Sequence, residues 1–360
     1  MNIFLRFTLH ALRFTNDGFY MFKTTIGIDI GTKNLKVVCL ETGINGYKLT
    51  AFGFLSCDEK KEQIAKFIKE AGIKTKDVRI NIENPSLRIR RLDLPQMPDA
   101  ELNEAVKWGC RKFVAGSVED YEFRYTRINT EDLKLSDKIP LIVFAIKRDA
   151  IKACVDFTKE IGLAYPKIIE PNASAIASIF DNCSGVSRED YNIIIDIGSF
   201  HALFVVMGKR GFLFSRPLAG SADSNLIAQI ARDIGTDSEK AGEIKDSYFG
   251  VGGAVKHELS EQQNSVLKNT ISHFYSRFAL EVQRSLDGFT QMFGKKNISE
   301  ISLCGGGAYY TELKEFLNKN LNVPVEIFNP FKKINVKSSD MEMLKNSKAL
   351  FAVACGLAVD

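Results

Sequence analysis

The chain has 360 residues, 45% of them apolar, with 48 Lys and Arg against 44 Asp and Glu. That length suits roughly two domains, and the apolar content supplies a full core, which excludes disorder as the main state. The net charge of +4 is spread along the chain rather than gathered in one segment, so there is no electrostatic footprint for nucleic acid.

The cysteines stand at 39, 57, 110, 154, 183, 304 and 355, without a CxxC pair and without histidines at ligand spacing. They signal neither a zinc site nor a disulfide framework, and the reading is reduced thiols in a cytoplasmic compartment. No apolar run approaches the ~18 residues of a membrane span.

In chain order, the first segment carries Ile3, Phe4, Leu5, Phe7, Leu9, Leu12 and Phe14, interrupted by Arg6, His10 and Arg13. Those charges spoil a signal-peptide core. Residues 1–24 are therefore read as a disordered or untranslated leader, with an interfacial basic helix as the alternative. From Ile26 the chain then reads Ile-Gly-Ile-Asp29-Ile-Gly31-Thr32-Lys33-Asn34-Leu-Lys36-Val-Val, and from Ile193 it reads Ile-Ile-Ile-Asp196-Ile-Gly198-Ser199-Phe-His-Ala-Leu-Phe-Val-Val. Each is a buried strand, an Asp-x-Gly-Ser/Thr turn and a second strand. A repeat this widely spaced implies two related halves, not a solenoid of short units.

The chemistry of such a turn is legible. Glycine lets backbone N–H groups approach an anion, the hydroxyl adds a donor, and a strand-end aspartate can hold a hydrated divalent cation. One copy is ordinarily a hairpin turn. Two copies with matched strands point to a polyphosphate gripped from both sides. Between them, Ile168-Ile169-Glu170-Pro171-Asn172-Ala173-Ser174-Ala175 gives a strand, a carboxylate, a proline suited to a first helical turn and small residues for close helix packing. Beyond the second copy, apolar residues recur with helical period at Leu226, Ile227, Ile230 and Ile234, and again at Phe274, Phe278, Leu280, Val282 and Leu286. Ile301-Ser-Leu-Cys304 is a short strand before Gly305-Gly306-Gly307 and a helical stretch from Tyr310 to Asn320, and the glycines leave room for a flat ring or a sugar.

Strand-DxG[ST]-strand, a Glu-Pro helix, a second strand-DxG[ST]-strand and a late strand-GGG-helix together resemble the actin-like ATPase superfamily over about Thr25 to Asp360. Within it the chain is similar to the type IV pilus assembly PilM family, relatives of the division protein FtsA. That resemblance also rests on Arg90-Arg-Leu-Asp-Leu-Pro95-Gln-Met-Pro98-Asp-Ala-Glu101, on Ala105-Val-Lys-Trp108, on Asp120-Tyr-Glu-Phe, on Gly211-Phe-Leu-Phe-Ser-Arg216 and on the closing Phe351-Ala-Val-Ala-Cys-Gly356-Leu-Ala.

The resemblance implies an α/β actin-like ATPase fold of two RNase H-like lobes with an inserted FtsA-type subdomain. The first lobe is expected over 25–84, 165–195 and 337–360, the insertion over 85–164, and the second lobe over 196–336 with a helical part at 223–293. By the same resemblance the ligands are ATP and Mg²⁺. Gly31, Thr32, Lys33 and Asn34 would form the first phosphate loop and Gly198 and Ser199 the second. Asp29 and Asp196 would hold Mg²⁺ through water, and Glu170 would orient metal or attacking water. Gly305, Gly306 and Gly307 would take the adenosine side, and Lys36 is a further phosphate candidate. Where relatives carry an Ala-Glu-x-x-Lys helix at the ribose, this chain has Ala241-Gly242-Glu243-Ile-Lys245, leaving Glu239 or Lys245 to serve. Phe200, His201 and Ala202 replace the second loop's glycine pair and threonine, which favours nucleotide binding over fast hydrolysis.

The function this implies is a cytoplasmic ATP-binding scaffold of the pilus assembly platform, at most a slow ATPase. Its implied partners are the N-terminal cytoplasmic peptide of a PilN-like inner-membrane protein and other pilus assembly proteins, with membrane contact only through the partner. Leu141 to Ile146 with Tyr121 to Tyr125 are expected to offer the peptide a sheet edge. A small-molecule kinase is one alternative, but residues 85–165 show no polar sugar pocket. An FtsA-like membrane-tethered filament former is another, though the chain stops at Leu357-Ala-Val-Asp360 without that family's amphipathic tail.

Overall fold

The computed structural model describes residues 4–5, 23–56, 61–71, 77–129, 137–183, 190–250 and 258–359; most of the expected leader lies outside them. In chain order the first elements are β1 (Phe4–Leu5), β2 (Lys23–Ile30), β3 (Asn34–Gly43), β4 (Gly46–Ser56), α1 (Lys61–Glu70) and β5 (Val78–Asn81). Next come β6 (Arg88–Pro95), α2 (Asp99–Cys110), β7 (Tyr121–Arg127), β8 (Lys138–Lys147), α3 (Arg148–Glu160), β9 (Ile168–Glu170) and α4 (Asn172–Cys183). The following part holds β10 (Tyr191–Ile197), β11 (Ala202–Gly208), β12 (Gly211–Pro217), α5 (Asp223–Ile234), α6 (Ser238–Phe249) and α7 (Glu261–Phe293). The chain closes through β13 (Ile298–Cys304), α8 (Leu313–Leu321), β14 (Val325–Ile327), β15 (Ile334–Asn335), α9 (Ser338–Leu344) and α10 (Ala352–Ala358).

These elements form two compact units, one of Met1–Glu189, Val205–Ser215 and Asn329–Asp360, the other of Asp190–Phe204 and Arg216–Phe328. The first unit holds a seven-stranded sheet ordered β1-β9-β5-β2-β3-β4-β15. Within it β2, β3 and β4 are an antiparallel meander, while β5 runs parallel to both β2 and β9. β2 is buried on both faces, with Ile26 and Ile28 on one and the small Thr25 and Gly27 on the other. On one face Ile26 and Ile28 join Val78, Ile80 and Ile169 against Ile64 and Ile68 of α1 and Ile151 and Val155 of α3.

The other face of β2 meets α10, every residue of which is buried. A Cβ on Gly27 of β2 would lie 2.1 Å from the Ala354 carbonyl oxygen, and one on Gly356 of α10 would lie 1.8 Å from the Ala175 carbonyl oxygen of α4. Backbone therefore packs on backbone on both sides of α10. The helix end is closed by Arg79 of β5, a side chain only 2% exposed, whose guanidinium donates to the Val359 carbonyl at 2.7 Å. Carbonyls at a helix C-terminus lack intrahelical donors, so a buried guanidinium is well placed there. Asp77 completes the site, accepting from Arg79 Nε at 3.2 Å and lying 3.0 Å from Lys23 Nζ. Burial by itself would raise the Asp77 carboxyl, but Arg79 and Lys23 outweigh it and hold the group below the ordinary carboxylate range.

Also in the first unit, β6, β8 and β7 form a three-stranded sheet in that order. Leu92, Leu94, Leu141 and Val143 on one face pack on Leu102, Val106 and Cys110 of α2. Of the two segments expected to offer an edge, Tyr121–Tyr125 lies in the edge strand β7, whereas Leu141–Ile146 lies in the central strand β8, which pairs with β6 on one side and β7 on the other.

A five-stranded sheet is ordered β12-β11-β10-β13-β14, and of its strands β10, β13 and β14 belong to the second unit. β10 and β13 are parallel with Asp196 opposite Cys304. The helical part resolves into α5, α6 and the 33-residue α7, whose Ser260 and Gln263 close a capping box. Phe274, Phe278 and Val282 share its buried face, whereas Leu280 is 50% exposed, since a residue two positions from each neighbour falls on the opposite side. The stretch after the glycines also differs from expectation. It is a short 3-10 turn over Gly306–Tyr309, and α8 starts only at Leu313, after Glu312 takes a left-handed φ of 65°.

Three outcomes test these contacts. Gly356→Ala should destabilise the chain by at least about 3 kcal/mol, the upper end of overpacking, while Gly242→Ala, whose Cβ would meet nothing nearer than 3.9 Å, should stabilise it by roughly 0.5–1 kcal/mol; urea unfolding compares them. Arg79→Met should cost about 1–3 kcal/mol by leaving the Val359 carbonyl without its donor and by removing one cation from Asp77, which keeps Lys23 at 3.0 Å. Because the folded-state value of Asp77 is depressed, its contribution is complete above the ordinary carboxyl range and is lost as pH falls from there through the depressed value. Unfolding measured across acid pH should accordingly fall less steeply in Asp77→Asn than in wild type.

Candidate functional site

The first Asp-x-Gly-Thr turn closes when the Gly31 N–H donates to the Asn34 carbonyl at 3.2 Å. A Cβ on Gly31 would stand 2.6 Å from that same oxygen, so the turn requires glycine. Thr32 and Lys33 at its tip are exposed, while Asp29 just before it is 5% exposed. The Asp29 carboxylate is held at both oxygens. Lys36 Nζ, directly across the sheet, lies 2.9 Å from Oδ2, and Asn81 Nδ2 at the end of β5 donates to Oδ1 at 2.9 Å.

Asn81 also accepts the Ile30 N–H at 2.7 Å and donates to Asn172 Oδ1 at 2.9 Å, at the start of α4. The Asn172 N–H in turn donates to Glu83 Oε1 at 3.1 Å. Glu170, at the end of β9 and 3% exposed, accepts from Ser174 Oγ at 2.7 Å through Oε2. In the first unit, therefore, Asp29, Gly31, Asn34, Lys36 and Glu170 surround one network based on the ends of three adjacent strands.

The second turn repeats the first. The Gly198 N–H donates to the His201 carbonyl at 2.8 Å, the same closure three residues on. The Gly198 and Ser199 carbonyls accept from the N–H groups of Asp223 and Ser224 at 3.1 and 2.8 Å, which fastens the turn to the first residues of α5. Phe200 at the tip is 55% exposed.

Gly305 lies against the same turn: with φ at +79° its Cβ would sit 2.5 Å from Asp196 Oδ1. Gly307 is likewise pressed on Ile197, its Cβ position 2.3 Å from Cγ2. Cys304 Sγ is 3.8 Å from Asp196 Oδ1. Only glycine fits at these two positions against the second turn.

Beneath the second turn is a buried polar cluster. Asp223 Oδ1 accepts from both Lys245 Nζ and Tyr310 Oη at 2.6 Å, and Lys245 also lies 2.8 Å from Asp246. Burial works against the Lys245 charge, but Asp223 and Asp246 more than offset it and raise the group above the ordinary lysine range. Burial, reinforced by the Asp223 charge, pushes the Tyr310 phenol well above its usual range. The Phe249 ring stacks on Tyr310 at 4.6 Å.

The expected residues therefore fall into two sets. Gly198, Ser199, Asp196, Gly305 and Gly307 come together in the second unit, with Gly306 exposed beside them. Lys245 is beneath them with its ammonium committed to two carboxylates, and Glu239 is exposed in the first turn of α6. No local sequence pattern marks Asn172, Asp223 or Tyr310 as part of these networks, and Asn81 also belongs to them. Asn81 carried a readable signal, a carboxamide ending the buried run Val78-Arg-Ile-Asn81; Asp223 and Tyr310 carried none, because their pairing joins residues 87 positions apart.

A family model described as type IV pilus assembly protein PilM matches residues 27–360. The chain belongs to that family. Among solved structures, a PilM–PilN type IV pilus biogenesis complex is 21% identical with a TM-score of 0.76, covering 93% of this chain and 97% of that one. The ethanolamine utilization protein EutJ from Carboxydothermus hydrogenoformans is 14% identical, with a TM-score of 0.51 over 93% of this chain and 89% of its own. A diol dehydratase-reactivating factor in nucleotide-free form is 12% identical, with a TM-score of 0.52 over 93% and 99%. The fold of this family member is thus the actin-like ATPase fold, and the two Asp-x-Gly turns are its repeated feature.

The cluster under the second turn makes a direct prediction. Lys245→Met should lower stability by about 3–5 kcal/mol by leaving Asp223 buried without its cation. With a raised folded-state value, the wild-type lysine should contribute fully at neutral pH and up to the ordinary lysine range, then lose its contribution as pH climbs through the raised value. Unfolding of wild type and variant between neutral and strongly alkaline pH should therefore converge at the alkaline end.

Proposed function

We propose that this chain is a nucleotide-binding scaffold of a type IV pilus assembly platform. It binds ATP with Mg²⁺ and docks the N-terminal cytoplasmic peptide of a PilN-like inner-membrane protein with an affinity that depends on the nucleotide. The observation that carries this reading is the repetition of one turn: Gly31 to Asn34 and Gly198 to His201 close by the same N–H to carbonyl bond at 3.2 and 2.8 Å. Each turn presents backbone donors and a hydroxyl residue, Thr32 or Ser199, after a strand-end aspartate, the chemistry of a phosphate loop.

Among the described residues no group of three or more His, Cys, Asp or Glu is placed to hold a metal ion. That fits Mg²⁺, which is ordinarily held by one or two carboxylates, waters and the nucleotide's own phosphates instead of an all-protein cage. In this reading Asp29 and Asp196 hold the hydrated ion and Gly31, Thr32, Lys33, Asn34, Gly198 and Ser199 take phosphates. Lys36 leaves Asp29 for a phosphate oxygen when the ligand enters. Gly305, Gly306 and Gly307 take the adenosine side, with Glu239 at the ribose and Lys245 acting through Asp223. Glu170 orients water or metal, and its bond to Ser174 keeps turnover slow, so the nucleotide serves mainly as a conformational ligand.

The partner reading is supported by family membership, and by the solved relative being a complex of PilM with PilN. An extended peptide docks by main-chain hydrogen bonds along a sheet edge, and β6 and β7 are edges of the three-stranded sheet. Among the described residues no helix is long and apolar enough to cross a membrane, which agrees with membrane location supplied by the partner.

Isothermal titration with ATP and Mg²⁺ tests the first half. Wild type should bind, and Asp29→Ala and Gly198→Asp should each weaken binding at least about tenfold, close to 1.4 kcal/mol. Absent wild-type binding, or two variants that bind as wild type does, would overturn it. A titration of the PilN-type peptide with and without nucleotide tests the second half, and equal affinities would remove the coupling.

A further inference from the structure

We infer that Asn81 is the positioning residue of the first turn, holding the Asp29 carboxylate in one orientation and joining it to the start of α4. This rests on the nucleotide-binding reading. The side chain is 2% exposed, so its hydrogen bonds are made without bulk solvent. Its orientation is dictated by chemistry: Oδ1 faces the Ile30 N–H at 2.7 Å, while Nδ2 faces Asp29 Oδ1 and Asn172 Oδ1, each at 2.9 Å. A flipped amide would set oxygen against a carboxylate and NH₂ against an N–H. One arrangement is permitted.

Two consequences follow for Asp29. With Oδ1 fixed by Asn81, Oδ2 is the oxygen that faces a cation, the Lys36 ammonium at 2.9 Å in this structure. Asp29 also cannot turn without breaking a bond to an amide that simultaneously holds Asn172. Asn172 is the first residue of α4, and two residues further Ser174 bonds Glu170. The Ile82 N–H donates to the Glu170 carbonyl at 2.9 Å, which clamps β5 to β9 at the same level. Asn81 therefore links the cation-bearing carboxylate to the helix that carries the partner of Glu170. Residues behind a metal-bearing group commonly change metal affinity by about 10–100-fold without touching the metal.

The test compares ATP affinity of the full chain in Mg²⁺ and in excess EDTA, by calorimetry, for wild type, Asn81→Ala, Asn81→Ser, Asp29→Ala and the Asn81→Ala/Asp29→Ala double variant. Asn81→Ser keeps an uncharged hydroxyl and sets no carboxylate against Asp29, and it serves as the second variant if the alanine one fails to fold. Both Asn81 variants are expected to lose about tenfold or more of the gain that Mg²⁺ confers, with affinity in EDTA changed by less than about twofold. In the Asp29→Ala background, Asn81→Ala should add nothing further. Equal losses with and without Mg²⁺, or effects of Asn81→Ala and Asp29→Ala that multiply, would reduce Asn81 to a structural role and overturn the inference while leaving nucleotide binding intact. A wild type that gains no affinity from Mg²⁺ would overturn the metal reading itself, and it is seen before any variant is made.

Discussion

The close approach of α10 to β2 and α4 is the constraint on which the first turn depends. Ala354 carbonyl against Gly27, and Gly356 against the Ala175 carbonyl, leave no room for any side chain. Contacts between backbones are rigid because no rotamer can yield. Asp29 is the last residue but one of β2 and Asn172 begins α4, so both groups that Asn81 bridges belong to elements pressed on the same short helix. Arg79 then fixes the end of that helix from the neighbouring strand, through a guanidinium donating to the Leu357 and Val359 carbonyls.

Each of the two turns is supported by its own buried polar hub, and the two hubs differ chemically. Under the first, a neutral carboxamide sets one oxygen of Asp29 and a half-buried lysine sets the other. Under the second, a fully buried ion pair of Lys245 with Asp223 anchors the N-terminus of α5, whose first N–H groups hold the turn's carbonyls. Buried ion pairs seldom add net stability over apolar packing, so retention of this one fits a role in fixing loop geometry. The backbone closure is shared by the two turns, and the supports beneath it differ.

Much of this was legible beforehand because it is local. Asp-x-Gly-Ser/Thr between two apolar strands announces a tight turn from residue types alone, and both copies form it. The small residues of Ala173-Ser174-Ala175 announce close helix packing, and Ala175 receives Gly356. Leu141–Ile146 and Tyr121–Tyr125 are both legible as strands; that the first is central and the second an edge follows from the pairing of β8 with both β6 and β7, which no local pattern contains. Leu280 was grouped with its apolar neighbours, yet it lies on the far side of α7, where an isolated exposed leucine is ordinary. That the Lys245 ammonium lies against carboxylates on α5 and α6 is likewise absent from any local pattern.

The sequence by itself determined the repeat, the glycines that the turns demand, the α/β alternation and the family, since each resides in contiguous residues whose conformational preferences are intrinsic. Tertiary structure alone decided which polar groups stand beneath the turns. Asn81 reaches Asp29 across 52 positions and Tyr310 reaches Asp223 across 87. Those partners are chosen by strand order and parallel register, and a side chain's hydrogen bonds follow from where the sheet places it.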